Sequence, residues 1–350
     1  MKKTILLLAL LLLCGINTRA QKKYSAYAVG FYNMENLFDT CHDEGKNDYE
    51  YLPNGSNRWD ALKYTNKLKN MSQALADMAT DKLPGIGCAA IGLAEVENDN
   101  VLNDLTAQPA LKTRGYKYVH IEGPDLRGID CALLYNPQLV TIRKAELKPY
   151  VNHIESVKNF VTRGFLTVEA TMADEPIAFI VCHLPSRRGG KSSGLREQGA
   201  AEVRAIKDSL IKATPGMKVM VMGDMNDDPI DKSMHESLGA QANISQVGSG
   251  DMYNPWYNIL AKDGKGTLMY RGNWNLFDQI ILSSNLINQN GSKDYSSLKY
   301  FNCQIQRMPY LLQTEGSYKG SPKRTSAGGV WLNGYSDHLP VVVYLLKEKK

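Results

Sequence analysis

The sequence predicts an α/β fold: two packed, mixed β-sheets flanked by helices. Three observations carry this. Short apolar runs of strand length are joined in places by tight turns, which pair strands antiparallel. Elsewhere the connections hold stretches with helical periodicity. Polar groups sit at the ends of the most apolar runs, where a rigid scaffold can hold them against a ligand.

Residues 1–20 carry a charged start at Lys2 and Lys3, an unbroken apolar stretch from Ile5 to Leu13, and the exit Thr18-Arg19-Ala20. This reads as a secretory signal peptide, too short to span a membrane. Cys14 follows Leu13, where a lipoprotein signal needs a small residue, so lipid anchoring is not expected. The reading is an exported chain, periplasmic or extracellular, with no stable membrane insertion, acting as a monomer. Residues 21–350 are expected to form a single domain, because no Pro/Ser/Gly-rich linker divides the polar motifs.

The elements follow in order. Tyr27 to Asn33 is a strand and Trp59 to Met78 a helix whose inward face is Trp59, Leu62, Leu68, Met71, Leu75 and Met78. Ala89 to Ala94 is a buried strand ending at Glu95. Val101 to Leu105 starts a short helix, capped from Asn98 to Asn100. Tyr116 to Ile121, Cys131 to Tyr135 and Val140 to Leu147 are strands. Phe165 to Met172 and Ile177 to Cys182 pair about a turn at Asp174-Glu175-Pro176. Leu195 to Lys212 is a helix; Lys218 to Met222, Gln279 to Leu282 and Val341 to Leu346 are strands. Two segments read as loops. Residues 227–275 carry Tyr253, Trp256, Tyr257, Tyr270 and Trp274; residues 313–335 carry Lys319, Lys323 and Arg324. Aromatics and cations in long loops suit ligand contact, or a small satellite core and a solvated basic hairpin.

Charge limits the substrate only weakly. Without the three positive charges of the first twenty residues, 38 Lys and Arg face 36 acids, a net charge of +2. A strongly basic chain would demand a long nucleic acid; this one allows a local basic patch instead. Five cysteines remain (Cys41, Cys88, Cys131, Cys182, Cys303), an odd number without metal-type spacing, and no disulfide is expected.

Gly223-Asp224-Met225-Asn226 follows the run MKVMVM, and Ser336-Asp337-His338-Leu339-Pro340 precedes VVVYLL. Asp224 and Asn226, two apart, face the same way on an extended segment. Asp224 suits orienting or deprotonating water. Asn226 suits donating to a phosphate oxygen, which an ionised Asp cannot do. Together with an Asp-His pair, this is a set for hydrolysing a phosphoester. A phosphodiester resists attack because its oxygens are already negative. Its hydrolysis needs charge neutralisation, an in-line water and help for the leaving oxygen. Glu95, a carboxylate ending an apolar strand, is the first metal-ligand candidate, with Glu97 as its substitute. Asn33 suits phosphate contact or fixing the site's hydrogen bonds. Arg187 and Arg188 offer guanidinium forks to phosphate, and Arg127 is a weaker candidate.

Further motifs stand in order along the chain: FYNMENLF from Phe31, IGLAEVEN from Ile91, RGIDCALLY from Arg127, VCHLPS from Val181 and FDQIIL from Phe277. With GDMN and SDHLP, their order and spacing resemble the endonuclease/exonuclease/phosphatase superfamily over about residues 24–347, nearest to predicted bacterial extracellular nucleases. The resemblance implies a four-layered α/β sandwich and a divalent metal, Mg2+ with Mn2+ or Ca2+ as alternatives. It favours Glu95 over Glu97 and matches Glu35 and Asp337 to metal-site carboxylates. It gives His338 an orienting partner in Asp278 and pairs His183 with Asp130. His183 stands where the abasic-site branch has tyrosine, so a DNA-repair reading is disfavoured. The implied activity is hydrolysis of DNA or RNA, with a small-molecule or lipid phosphoester as the alternative. A dead binding module would lack some of these groups, and none is missing by type.

Overall fold

The computed structural model describes residues 22–187, 192–289 and 291–349. The expected signal segment with Cys14, and Arg188, lie outside the described residues. Seventeen strands are assigned among the described residues. They are β1 (Tyr24–Leu37), β2 (Ala90–Val96), β3 (Lys117–His120), β4 (Asp130–Tyr135), β5 (Val140–Lys148) and β6 (Phe165–Met172). Then come β7 (Glu175–His183), β8 (Lys218–Asp224), β9 (Ala240–Gln241), β10 (Met252–Tyr253), β11 (Leu268–Tyr270) and β12 (Asn273–Asn275). The last are β13 (Asp278–Ser283), β14 (Lys299–Ile305), β15 (Ser326–Ala327), β16 (Val330–Trp331) and β17 (Val341–Glu348). The helices used below are α1 (Ala61–Asp77), α2 (Asp99–Ala107), α3 (Pro109–Lys112) and α4 (Ser192–Ala213).

A six-stranded sheet has the order β14-β17-β1-β2-β4-β3, and a seven-stranded sheet the order β5-β6-β7-β8-β13-β10-β9. Both are mixed: β1–β2 and β7–β8 run parallel, while β1–β17 and β8–β13 run antiparallel. The sheets share one core, in which Phe31, Leu93, Phe179, Met222, Ile280 and Val343 are fully buried. Strands apolar on both faces are what two covered sheets require. Gly92 permits the close approach, since a Cβ there would meet the Met222 sulfur at 2.5 Å. α1 packs against the first sheet through Leu68, Met71 and Leu75, and α4 against the second through Val203. The result is the expected sandwich of two mixed sheets flanked by helices.

Several expectations shift by a few residues. Trp59 is buried but precedes α1, whose N-cap is Asp60, and Leu62 is 64% exposed. Asn98 does cap α2, accepting from the Asn100 and Val101 amides. The turn before β7 uses Ala173 and Asp174, both at positive φ, while Glu175 and Pro176 are already strand. Short α3 and the partly exposed β14 carry no clear sequence period. Cys131 and Cys182 are buried fillers of the core.

Lys67 is a second departure, a buried lysine on α1. Its ammonium donates to Thr325 Oγ1 at 2.5 Å and to the Tyr335 carbonyl at 2.6 Å, tying α1 to the 313–335 segment. Lys67→Ala leaves both acceptors without this donor. It should lower unfolding free energy by about 2–3 kcal/mol, read from urea melts.

Candidate active site

Two β-bulges open one end of the first sheet. The register between β1 and β2 slips between Asn33 and Leu37, and that between β2 and β4 slips between Ala94 and Val96. Glu35, Asn36 and Glu95 take positive φ there (46°, 57° and 61°), a conformation costly for side-chain-bearing residues and concentrated at functional sites. The bulges re-aim these side chains toward the strand ends. The Asn36 amide donates to Glu95 Oε2 at 2.9 Å and so fixes the carboxylate.

The second sheet meets this end with His183, Asp224 and Asp278 side by side, in register across β7, β8 and β13. Asp224 and Asp278 are directly opposed carboxylates, an arrangement that repels unless a cation intervenes. His338, just before β17, supplies it. Its Nδ1 lies 2.7 Å from Asp278 Oδ2 and its Nε2 3.7 Å from Asp224 Oδ2. Burial opposes charge on this ring, but Asp278, Asp224 and Asp337 outweigh it and hold the pKa well above the ordinary histidine value. These carboxylates favour the protonated ring.

His183 has the opposite setting. Burial, with Arg163, Arg127 and His338 nearby, pushes its pKa well below the ordinary value and favours the neutral ring. Its Nε2 lies 3.6 Å from Asp224 Oδ2 and 3.8 Å from Glu95 Oε1. Asp224 is thus the centre. It accepts Asn33 Nδ2 on Oδ2 and the Asn226 amide on Oδ1, each at 2.9 Å. Burial, then repulsion from Asp278 and Glu95, raises its pKa to about 6 against the pull of His338.

These groups border a cavity of about 490 Å³ lined by Glu35, Asn36, Glu95, Arg127, Arg163, His183, Arg187, Asp224, Asn226, Asp337 and His338. Leu268, Tyr270, Asn275 and Phe277 shape its rim. The acids suit a hard divalent cation by donor type. Burial and Asp337 raise the Glu35 pKa to about 7, although Lys67 and Arg324 pull it down. The donor set fits the metal that the motifs imply.

Not every expected partner forms. Asp130 does not pair with His183: it accepts the Gly123 amide at 3.0 Å and faces His120 Nε2 at 3.5 Å. The β2 bulge sets Asp130 opposite Val96, beside the end of β3, and the His183 Nδ1 has no hydrogen-bond partner. Asn33 does not line the cavity; its amide is spent on Asp224 and on the Glu35 N–H. Glu97 turns away and accepts the Asp39 amide at 2.7 Å. Arg187 reaches the cavity but is drawn to Asp227, Asp228 and Asp231 and lies over the Phe277 ring. Asn226 gives one side-chain N–H to the Leu184 carbonyl. Glu35 and Asp337 share Arg324, at 3.2 and 3.0 Å.

Arg163 was not foreseen. It is buried, bonds Asp125 Oδ2 at 2.8 Å and the His183 carbonyl at 3.1 Å, and lines the cavity. Its signal was available: Arg163-Gly164, like Arg127-Gly128, comes just before an apolar strand. Among the loop aromatics, Trp256 is core, its indole donating to the Ile280 carbonyl, while Tyr270 stands at the rim. Of the expected basic hairpin, Arg324 lines the cavity.

Residues 28–347 match the model of the Endonuclease/Exonuclease/phosphatase family. The chain belongs to that family and is a hydrolase acting on phosphoester bonds, in a family whose enzymes generally use divalent metals. It is similar in fold to a mannosyl-6-phosphatase of Bacteroides thetaiotaomicron: TM-score 0.56, 15% identity, with 91% of this chain and 99% of that one covered. It is similar also to D. rerio TDP2 complexed with a single-strand DNA product: TM-score 0.53, 14% identity, 92% and 99% covered. A family protein of Bacteroides vulgatus gives TM-score 0.54 at 12% identity, with 93% and 100% covered. A search of the curated proteins finds no match. Among the described residues, no helix is long and apolar enough to cross a membrane.

Proposed function

We propose that the protein is an exported, divalent-metal-dependent phosphodiesterase whose first substrate class is a nucleic-acid strand. The observation that carries the chemistry is the placing of Asp224 between His183, 3.6 Å away, and His338, 3.7 Å away. Asp224 receives the proton of the attacking water, and Asn33 and the Asn226 amide hold its carboxylate in place. His338, oriented by Asp278, donates to the phosphoryl group or to the leaving oxygen. The remaining side-chain N–H of Asn226, with Arg163 and Arg127, neutralises phosphate oxygens. Glu95, with Glu35 and Asp337, holds a divalent cation, Mg2+ first and Mn2+ or Ca2+ as alternatives. When bound, that cation offsets phosphoryl charge and polarises the bond to the leaving group. Arg324 releases Glu35 and Asp337 for this role.

Tyr270 supports the nucleic-acid reading. It is 60% exposed on the β11–β12 hairpin at the rim, a platform on which a base can stack. A second reading, a small phosphoester, has its own support: Arg187 is already balanced by three aspartates, which leaves few free cations for a long backbone. Residues 21–350 act as one domain, since residues from Glu35 to His338 line one cavity. The apolar leader supports export.

The test is a substrate panel. The mature chain is incubated with plasmid, single-stranded DNA, RNA, bis-p-nitrophenyl phosphate, a sugar 6-phosphate and sphingomyelin, each with Mg2+, Mn2+, Ca2+ or EDTA. The expected result is metal-dependent cleavage of the nucleic acids and the diester. Turnover of the sugar phosphate alone would move the assignment to a phosphatase. Metal binding also predicts a stability change. At one hundred times its dissociation constant Mg2+ should add about 2.7 kcal/mol to unfolding, and Glu95→Gln should remove most of that gain in a thermal melt.

A further inference from the structure

We propose that the protein carries a second divalent-cation site, at the turn between β3 and β4. It is built from His120 Nε2, Asp130 and Glu122 and takes a first-row ion of the Zn2+ type. None of these three residues lines the cavity described above. Their ligand atoms lie within 4.8 Å of one another. Acidic clusters are common without an ion, so the case rests on the imidazole.

The His120 side chain is only 3% exposed. Its Nδ1 lies 3.0 Å from Asp99 Oδ1, and in the neutral ring that contact places the proton on Nδ1 and leaves a lone pair on Nε2. Nε2 is buried and has no hydrogen-bond partner. It is aimed at Asp130 Oδ2, 3.5 Å away. In this tautomer an acceptor faces an acceptor, which is unfavourable unless a proton or a metal cation lies between them. The separation is long for a hydrogen bond. It is close to the ~3.4 Å edge of a tetrahedron built on metal–ligand bonds of about 2.1 Å. Asp99, His120 and the ion then form the carboxylate–histidine–metal relay that orients many metal-bound imidazoles.

The remaining ligands are available. The Gly123 amide, donating at 3.0 Å, fixes the Asp130 carboxylate. Glu122 is half exposed and now bonds Lys46 Nζ at 2.5 Å. Lys46 also donates to the Gly123 and Asp125 carbonyls at 2.9 and 3.3 Å, so it stays anchored when Glu122 turns to the ion. One imidazole and two carboxylates suit Zn2+ better than Mg2+, which prefers oxygen ligands and water. The ion would clasp the segment that carries Asp125, the partner of Arg163, and Arg127, which reaches the phosphoester site. The competing arrangement is an imidazolium held between Asp99 and Asp130 with no ion.

The test uses the full mature chain, stripped of metal, equilibrated with Zn2+ in excess Mg2+ and freed of loosely bound ion. Zinc is counted by mass spectrometry, and the ligand set is read by X-ray absorption at the zinc edge. Wild type and Glu95→Gln should each retain one equivalent, with a nitrogen ligand in the first coordination sphere. His120→Ala should lose it. Asp99→Asn, at an exposed position that leaves the core intact, should weaken Zn2+ binding by about 10–100-fold. Equal zinc retention in wild type and His120→Ala would overturn the proposal. So would a wild type that keeps no zinc, which is the outcome the metal-free imidazolium predicts.

Discussion

Asp224→Asn is expected to lower turnover by about 10²–10⁴-fold, the range for losing a proton-transfer group. The substitution keeps the shape and removes the base. It also places an amide where Asp224 now accepts from Asn33 and from the Asn226 N–H, so the outcome depends on which way that amide turns. Burial raises the Asp224 pKa to about 6, which sets a base near the working pH rather than a spent carboxylate. The measurement is kcat on bis-p-nitrophenyl phosphate at saturating metal, with circular dichroism to check the fold. Turnover within a few-fold of wild type would remove the base role from Asp224.

Asp278→Asn is expected to reshape the pH profile as well as to cost about 10²-fold in turnover. In wild type the rate should rise with pH as Asp224 ionises, through about 6 before metal lowers that value. It should fall again when His338 loses its proton, well above the ordinary histidine pKa. Removing the Asp278 charge takes away the nearest group that raises His338. The alkaline limb should therefore move to lower pH, and the acid limb should move down as well, because Asp278 also raises Asp224. The sign of the stability effect follows from the same shift. His338 has a folded pKa above its unfolded value, so its contribution is complete below the unfolded pKa and is lost as pH rises through the folded one. Melts across the alkaline range should show that loss in wild type and a smaller one in Asp278→Asn. An alkaline limb unmoved by the substitution would detach His338 from proton transfer.

The fold was legible where strands are buried on both faces. Runs such as VMVMGD in β8 and VVVYLL in β17 have no solvent side, so apolarity alone delimits them. The apolar run predicts Phe165–Met172 with its observed bounds, although the turn that ends it lies at Ala173 and Asp174. β14 was not, since KYFNCQI is half exposed at a sheet edge and mixes polar and aromatic residues. At the site, residues at strand ends were legible by type: Glu95, Asp224 and His338 do converge on one cavity. Contacts set by bulges were not. A one-residue slip in β2 gives Asp130 to Gly123 and His120 instead of His183, and no spacing announces that slip. Lys67 was hidden for another reason. A lysine on a helix is read as solvated unless the distant Tyr335 carbonyl that receives it is already known.

The position of β17 has a consequence for synthesis. This last strand lies between β14 and β1, pairing Tyr24 with Glu348 and Phe31 with Val341. The strand that begins the sheet therefore has one neighbour missing until the end of the chain has been made. Contacts that span almost the whole sequence are slow to form and leave earlier segments waiting. His338 precedes β17, so it reaches Asp224 only when that strand docks. The site is then assembled only once β17 has docked beside β1. Removing β17 should abolish that late step altogether, leaving β1 as an open edge prone to pair with other chains.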